Sequence, residues 1–144
     1  MLFTLLLTAQ ILTAQPTDNE RTWRTPSELH DAINTLAVSS KDVSVTTIGS
    51  SRNMQPIVSI RVSMDGAISP ENRPAILIVA GIDGDHLLGS EVAVEIIQEL
   101  LNRDDESTAT LLQSNTIYII PQVNPDAASF FFAPVKNEQR RNIR

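Results

Sequence analysis

The sequence predicts an α/β domain with a mixed, largely parallel sheet that is flanked by helices. Three patterns support this prediction: an amphipathic helix, then two alternating strands, then two short apolar runs separated by a second amphipathic helix. A strand, a helix and another strand in that order are typical of a crossover within a sheet. At 144 residues the chain is long enough for one domain with a hydrophobic core.

The first predicted elements are a helix and a β-hairpin. The helix begins with a capping box, because Thr25 is followed three residues later by Glu28, and apolar residues then recur at helical spacing. Residues 43–48 and 57–62 alternate apolar and polar side chains and are rich in β-branched residues. We therefore expect these two segments to pair as a hairpin.

The apolar run at residues 75–80 differs from the two hairpin strands. It is apolar on both faces, which predicts a central strand covered by helices on both sides. An amphipathic helix at 88–101, a short helix at 108–113 and a second buried strand at 117–120 follow. Ligands of open α/β sheets bind beyond the carboxyl ends of strands. The polar loops that follow the two buried strands should therefore lie together.

The first of these loops, Gly81-Ile82-Asp83-Gly84-Asp85-His86, carries two carboxylates and an imidazole. Asp and His are both normal zinc ligands, and Asp83 and His86 are close enough in a turn to face one ion. A plainer interpretation stays open, in which Asp85 caps the next helix, Asp83 bonds turn amides and His86 lies on the surface. The loop lacks the spacing of a dinucleotide-binding fingerprint and the lysine of a phosphate loop.

Composition excludes several classes of function. The formal net charge is −6 and no basic stripe is present, which argues against nucleic-acid binding. The absence of cysteine excludes disulfides, thiolate metal ligands and a cysteine nucleophile. Of the two histidines, we expect His30 to be a solvated residue of the first helix.

The N-terminal segment predicts export. Residues 1–15 are mostly apolar and carry no charged side chain, but they fall short of the roughly 20 residues that span a bilayer. They are interpreted as a signal peptide, followed by a linker at 16–24, in a secreted or periplasmic protein without a transmembrane span in its mature chain. A buried first strand or helix is the alternative.

Three motifs, in order, give the chain a family resemblance. Residues 49–57, Gly-Ser-Ser-Arg-Asn-Met-Gln-Pro-Ile, are similar to the pattern G-x-S-x-x-G-R-x-I; residues 81–86 stand where G-x-H-G-x-E is expected; and Asn124-Pro125-Asp126 stands where N-P-D-G is expected. The chain therefore resembles the zinc carboxypeptidases of the funnelin type from about residue 25 to its end. The resemblance implies that residues 25–144 are the N-terminal part of a catalytic domain whose sheet is incomplete at the C-terminal side.

The resemblance also implies a site. The two zinc ligands of this loop fall on Asp83 and His86, so that the family's H-x-x-E has become Asp-x-x-His, with one carboxylate and one imidazole kept at the same spacing. Arg141 or Arg140 matches the arginine that stabilises the oxyanion, and Asn142 and Arg144 the pair that binds the substrate's terminal carboxylate. A bland alternative for this arginine cluster is a solvated tail.

The expected activity is zinc-assisted hydrolysis of a peptide near a free C-terminal carboxylate. The family's third ligand, a His, and its general-base Glu lie beyond the last motif, so we expect this chain alone to be inactive. Two alternatives stay open: a catalytically silent, secreted binding domain, and a truncated remnant. The N-P-D motif is structural in the family and is assigned no catalytic role here.

Overall fold

The computed structural model describes residues 23–84 and 86–133. The described part contains, in chain order, α1 (Pro26–Ser39), β1 (Val43–Ser50), β2 (Pro56–Val62), a 3₁₀ turn (Pro70–Asn72), β3 (Ala75–Val79), α2 (Leu88–Asn102), α3 (Glu106–Ser114), β4 (Thr116–Ile120) and α4 (Pro125–Phe131). The predicted signal peptide and most of the predicted linker lie outside the described residues. Among the helices that are described, none has the length and hydropathy to cross a bilayer.

The four described strands form one mixed sheet in the order β1-β2-β4-β3. β1 and β2 pair as the expected antiparallel hairpin, and β2 also runs antiparallel to β4. β3 and β4 are parallel, because α2 and α3 carry the chain from the end of one to the start of the other. The predicted mixed α/β class is confirmed, with parallel pairing confined to β3 and β4 among these strands.

The capping box at the start of α1 forms as the sequence predicts. The Thr25 hydroxyl accepts a hydrogen bond from Glu28 N, and the Glu28 carboxylate accepts one from Thr25 N at 2.8 Å. These bonds hold the pKa of the Glu28 carboxyl below its usual value. The capped helix buries Leu29 and Ile33 against the sheet and α2.

The core lies between one face of the sheet and the helices α1, α2 and α3. Its centre consists of the cross-strand pairs Ile60–Ile119 and Val62–Ile117, of which Ile60, Val62 and Ile119 are fully buried. The other core residues are Leu29, Ile33, Val43, Val58, Ala93, Val94, Ile97 and Leu112. This core fixes the ends of β3 and β4, from which the polar loops begin.

β3 corrects one prediction, because it is not a central strand among the described residues. It pairs with β4 alone and forms an edge of the sheet. Its side chains Ile76, Leu77 and Val79 are 46%, 62% and 42% exposed. A strand that is apolar on both faces is suited to the centre of a covered sheet. The described part of the chain, however, supplies only one strand beside β3.

Candidate metal centre

The two polar loops meet at the carboxyl ends of β3 and β4, as expected for parallel neighbours. Val123 N donates to Ala80 O at 3.1 Å, and Asn124 N donates to Gly81 O at 3.0 Å. The Asn124 side chain adds a bond from Nδ2 to Ile82 O at 3.1 Å. Backbone and side chain of one loop thus hold the first residues of the other in place.

Two glycines make this close packing possible. Gly81 has φ +64°, in the left-handed region, and a Cβ there would lie 2.7 Å from Ser90 Oγ and 2.9 Å from Pro121 O. A Cβ on Gly84 would overlap Ala127 of α4. Both positions therefore require glycine, for reasons that the spacing of the motif alone does not give.

Asp83 and His86 lie side by side at the open end of this loop. His86 Nδ1 is 3.9 Å from Asp83 Oδ2, and His86 N donates to Asp83 O at 3.2 Å. The Asp83 side chain is 53% exposed and the His86 side chain 74% exposed. The turn therefore presents one carboxylate and one imidazole to solvent in the same direction.

The pair is compatible with a shared metal ion. Two protein ligands about 2.1 Å from a tetrahedral zinc ion lie about 3.4 Å apart, so a small rotation of either exposed side chain closes the difference. Within residues 23–84 and 86–133, no group of three or more His, Cys, Asp or Glu side chains is placed to hold a metal. The described residues thus fit half of a tetrahedral zinc site.

The remaining predicted site residues lie outside the described part of the chain. These are Arg140, Arg141, Asn142 and Arg144, proposed for oxyanion and carboxylate binding. Asp85, the alternative cap of the helix that follows the loop, is also outside it.

Asn124-Pro125-Asp126, predicted as a loop, instead begins the short helix α4. The Asn124 side chain caps this helix by accepting a hydrogen bond from Ala127 N at 3.2 Å, and proline suits its first turn. Asn124 therefore has two tasks, since it caps α4 through Oδ1 and holds the loop at residues 81–86 through a bond from Nδ2 to Ile82 O. The Asn-Pro pair is a typical helix start, so the sequence did contain a signal for α4.

Asp126 is fully buried and connects α4 to the hairpin. Its carboxylate accepts a hydrogen bond from Ser51 Oγ at 2.6 Å and one from Asn53 N at 3.3 Å. Ser51 Oγ also accepts a bond from Gln55 N at 3.1 Å. The first and third motifs of the sequence are therefore in direct contact.

Met54 departs from the first motif in a way that the backbone records. It stands where the pattern G-x-S-x-x-G-R-x-I has its second glycine, and its φ is +61°. It is the one non-glycine residue with positive φ in the described part of the chain. The turn thus keeps the left-handed conformation that glycine adopts freely, although a methionine, which has a Cβ, is strained there.

His30 corrects another prediction, because it is half-buried rather than solvated. It lines a cavity between α1, β2 and the segment that follows β4. The sequence shows only its place on α1, four residues after Pro26, and gives no sign that β2 would pack beside it.

Comparison with known proteins bears directly on this arrangement of loops. A family model described as zinc carboxypeptidase matches residues 29–144. The chain belongs to the zinc carboxypeptidase family. Membership covers the loop of Asp83 and His86 and the N-P-D segment that braces it.

Individual relatives within the zinc carboxypeptidase family are similar over part of the chain. Carboxypeptidase D of Rattus norvegicus is 36% identical over 84 residues, which are 57% of this chain and 6% of that protein. Carboxypeptidase E of Caenorhabditis elegans is 28% identical over 82 residues, which are 55% of this chain and 17% of that protein. The chain thus spans less than a fifth of the length of these relatives.

Solved structures confirm the zinc carboxypeptidase fold. Bovine thrombin-activatable fibrinolysis inhibitor, in complex with tick carboxypeptidase inhibitor, matches with a TM-score of 0.69 and 20% identity, over 84% of this chain and 37% of that chain. Carboxypeptidase A from Helicoverpa armigera matches with a TM-score of 0.65 and 18% identity, over 77% of this chain and 27% of that chain. The described sheet therefore corresponds to part of a larger zinc carboxypeptidase domain.

Proposed function

We propose that this chain supplies two ligands of the zinc centre of a metallocarboxypeptidase-like peptide hydrolase. The observation that carries the proposal is the 3.9 Å approach of Asp83 Oδ2 and His86 Nδ1 in the loop after β3. Membership of the zinc carboxypeptidase family makes zinc the expected ion. The substrate would be a peptide, cut near its free C-terminal carboxylate.

Each residue of the loop would have a defined task. Asp83 and His86 would hold the ion, with Asp83 contributing negative charge and His86 a neutral imidazole. Zinc, when bound, polarises a carbonyl and lowers the pKa of a bound water. Asn124 would keep the loop in position through its bonds to Gly81 O and Ile82 O.

The arginine cluster would add the groups that bind the substrate. Arg141 or Arg140 would stabilise the oxyanion, because a guanidinium stays charged and donates two aligned hydrogen bonds. Asn142 and Arg144 would bind the carboxylate of the substrate. A third ligand and a general base are required in addition, and no group of three His, Cys, Asp or Glu side chains among the described residues is placed to hold a metal.

Zinc titration of the full chain tests the proposal. Wild type is compared with Asp83→Ala and His86→Ala by isothermal calorimetry, with Asp104→Ala as a matched exposed carboxylate on the loop between α2 and α3. We expect wild type and Asp104→Ala to bind zinc alike, weakly because two protein ligands are few, and each loop variant to lose most of the heat. Equal zinc uptake by all four proteins would remove the site.

A catalytically silent binding domain is the second candidate. It is favoured by the exposure of the pair and by the absence of a third ligand within the described ranges. A longer reading frame that continues past Arg144 and encodes a His and a Glu would provide the test protein. Zinc-dependent release of the C-terminal residue from a peptide supports the hydrolase, and peptide binding without release supports the silent domain.

Export remains part of the proposal. Residues 1–15 would be removed as a signal peptide, leaving a secreted or periplasmic protein. Expression with the native N-terminus and intact-mass measurement of the exported protein test this. A product that begins at Met1 and stays inside the cell contradicts it.

A further inference from the structure

We draw no further inference here: the strongest candidate, the apolar edge strand β3 with the exposed side chains of Ile76, Leu77 and Val79, carries nothing because no feature of the described residues shows what covers it.

Discussion

Ser51 Oγ and Asp126 Oδ1 are joined by a hydrogen bond of 2.6 Å across 75 residues of sequence. The bond connects the turn between β1 and β2 to the first turn of α4, the helix whose Ala127 packs against Gly84 of the candidate loop. Asp126 also accepts a bond from Asn53 N, so one buried carboxylate holds two groups of the turn. The hairpin and the candidate site are therefore a single unit.

The first prediction concerns this carboxylate. Asp126→Ala leaves the Ser51 hydroxyl and Asn53 N–H without their acceptor in a buried place, and should lower the free energy of unfolding by about 3 kcal/mol. Urea denaturation measures the change, and the exposed Asp104→Ala serves as control. Similar losses in both variants would show that the buried network is unimportant.

The second prediction concerns the positive φ of Met54. Met54→Gly removes the strain of the left-handed conformation at some cost in chain entropy, and should raise the free energy of unfolding by about 0.5–1 kcal/mol. Met54→Ala is the matched control, since it shortens a side chain that is 79% exposed but keeps Cβ. A gain in the alanine variant equal to that in glycine would assign the effect to the side chain.

The third prediction is a pH dependence at α3. Hydrogen bonds from the Ser107 hydroxyl and from Thr108 lower the pKa of the Asp105 carboxyl from 3.8 to about 2. Because the folded pKa is the lower one, this stabilisation is complete above pH 3.8 and is lost as the pH falls towards 2. The difference in stability between wild type and Asp105→Ala should narrow over that window, as measured by denaturation at pH 5, 3 and 2. A difference in stability between the two proteins that stays constant over this pH range would contradict a stabilising role of the ionised Asp105 cap.

The fourth prediction concerns Arg73, a buried arginine without a buried carboxylate partner among the described residues. Its guanidinium donates to Ile68 O, Met64 O and Leu112 O at 2.6, 2.7 and 2.9 Å. Arg73→Met should lower the free energy of unfolding by about 3 kcal/mol, because three carbonyls lose a charged donor. Arg73→Lys should recover only part, since one ammonium cannot reproduce the fork. Full recovery by lysine would show that charge alone matters.

The fifth prediction concerns the edge strand β3. Its exposed apolar side chains, and a backbone edge that no described strand pairs with, are a template for association between chains. Leu77→Lys should reduce self-association, measured by light scattering over a concentration series. Val38→Lys, at an even more exposed apolar residue on α1, should not. Equal improvement by both would indicate a general effect of charge.

Local patterns carried much of the sequence-based prediction. The capping box of Thr25 and Glu28, the hairpin and the two helices of the crossover are encoded by neighbours in sequence, and each is found. The meeting of the two polar loops followed from the parallel order of the buried strands. The proximity of Asp83 and His86 within one turn is likewise a local property.

What could not be predicted depends on distant partners. The edge position of β3 depends on which strands are present beside it. The partial burial of His30 depends on the packing of β2 and of the segment that follows β4. The contact of Ser51 with Asp126 joins two motifs whose spacing in sequence carries no distance. The sequence shows Asn124 as part of a motif, but it does not predict the hydrogen bond from the Asn124 side chain to Ile82 O.

The hydrogen bonds from Asn124 to the loop have a consequence for ion binding. Gly81 and Ile82 are fastened through their carbonyl oxygens, so the backbone leading to Asp83 is already ordered before any ligand arrives. The exposed side chains of Asp83 and His86 would each still have to adopt one rotamer, which costs less entropy than ordering the preceding backbone as well. An ion that bound to this pair would therefore require little ordering of the backbone that precedes Asp83.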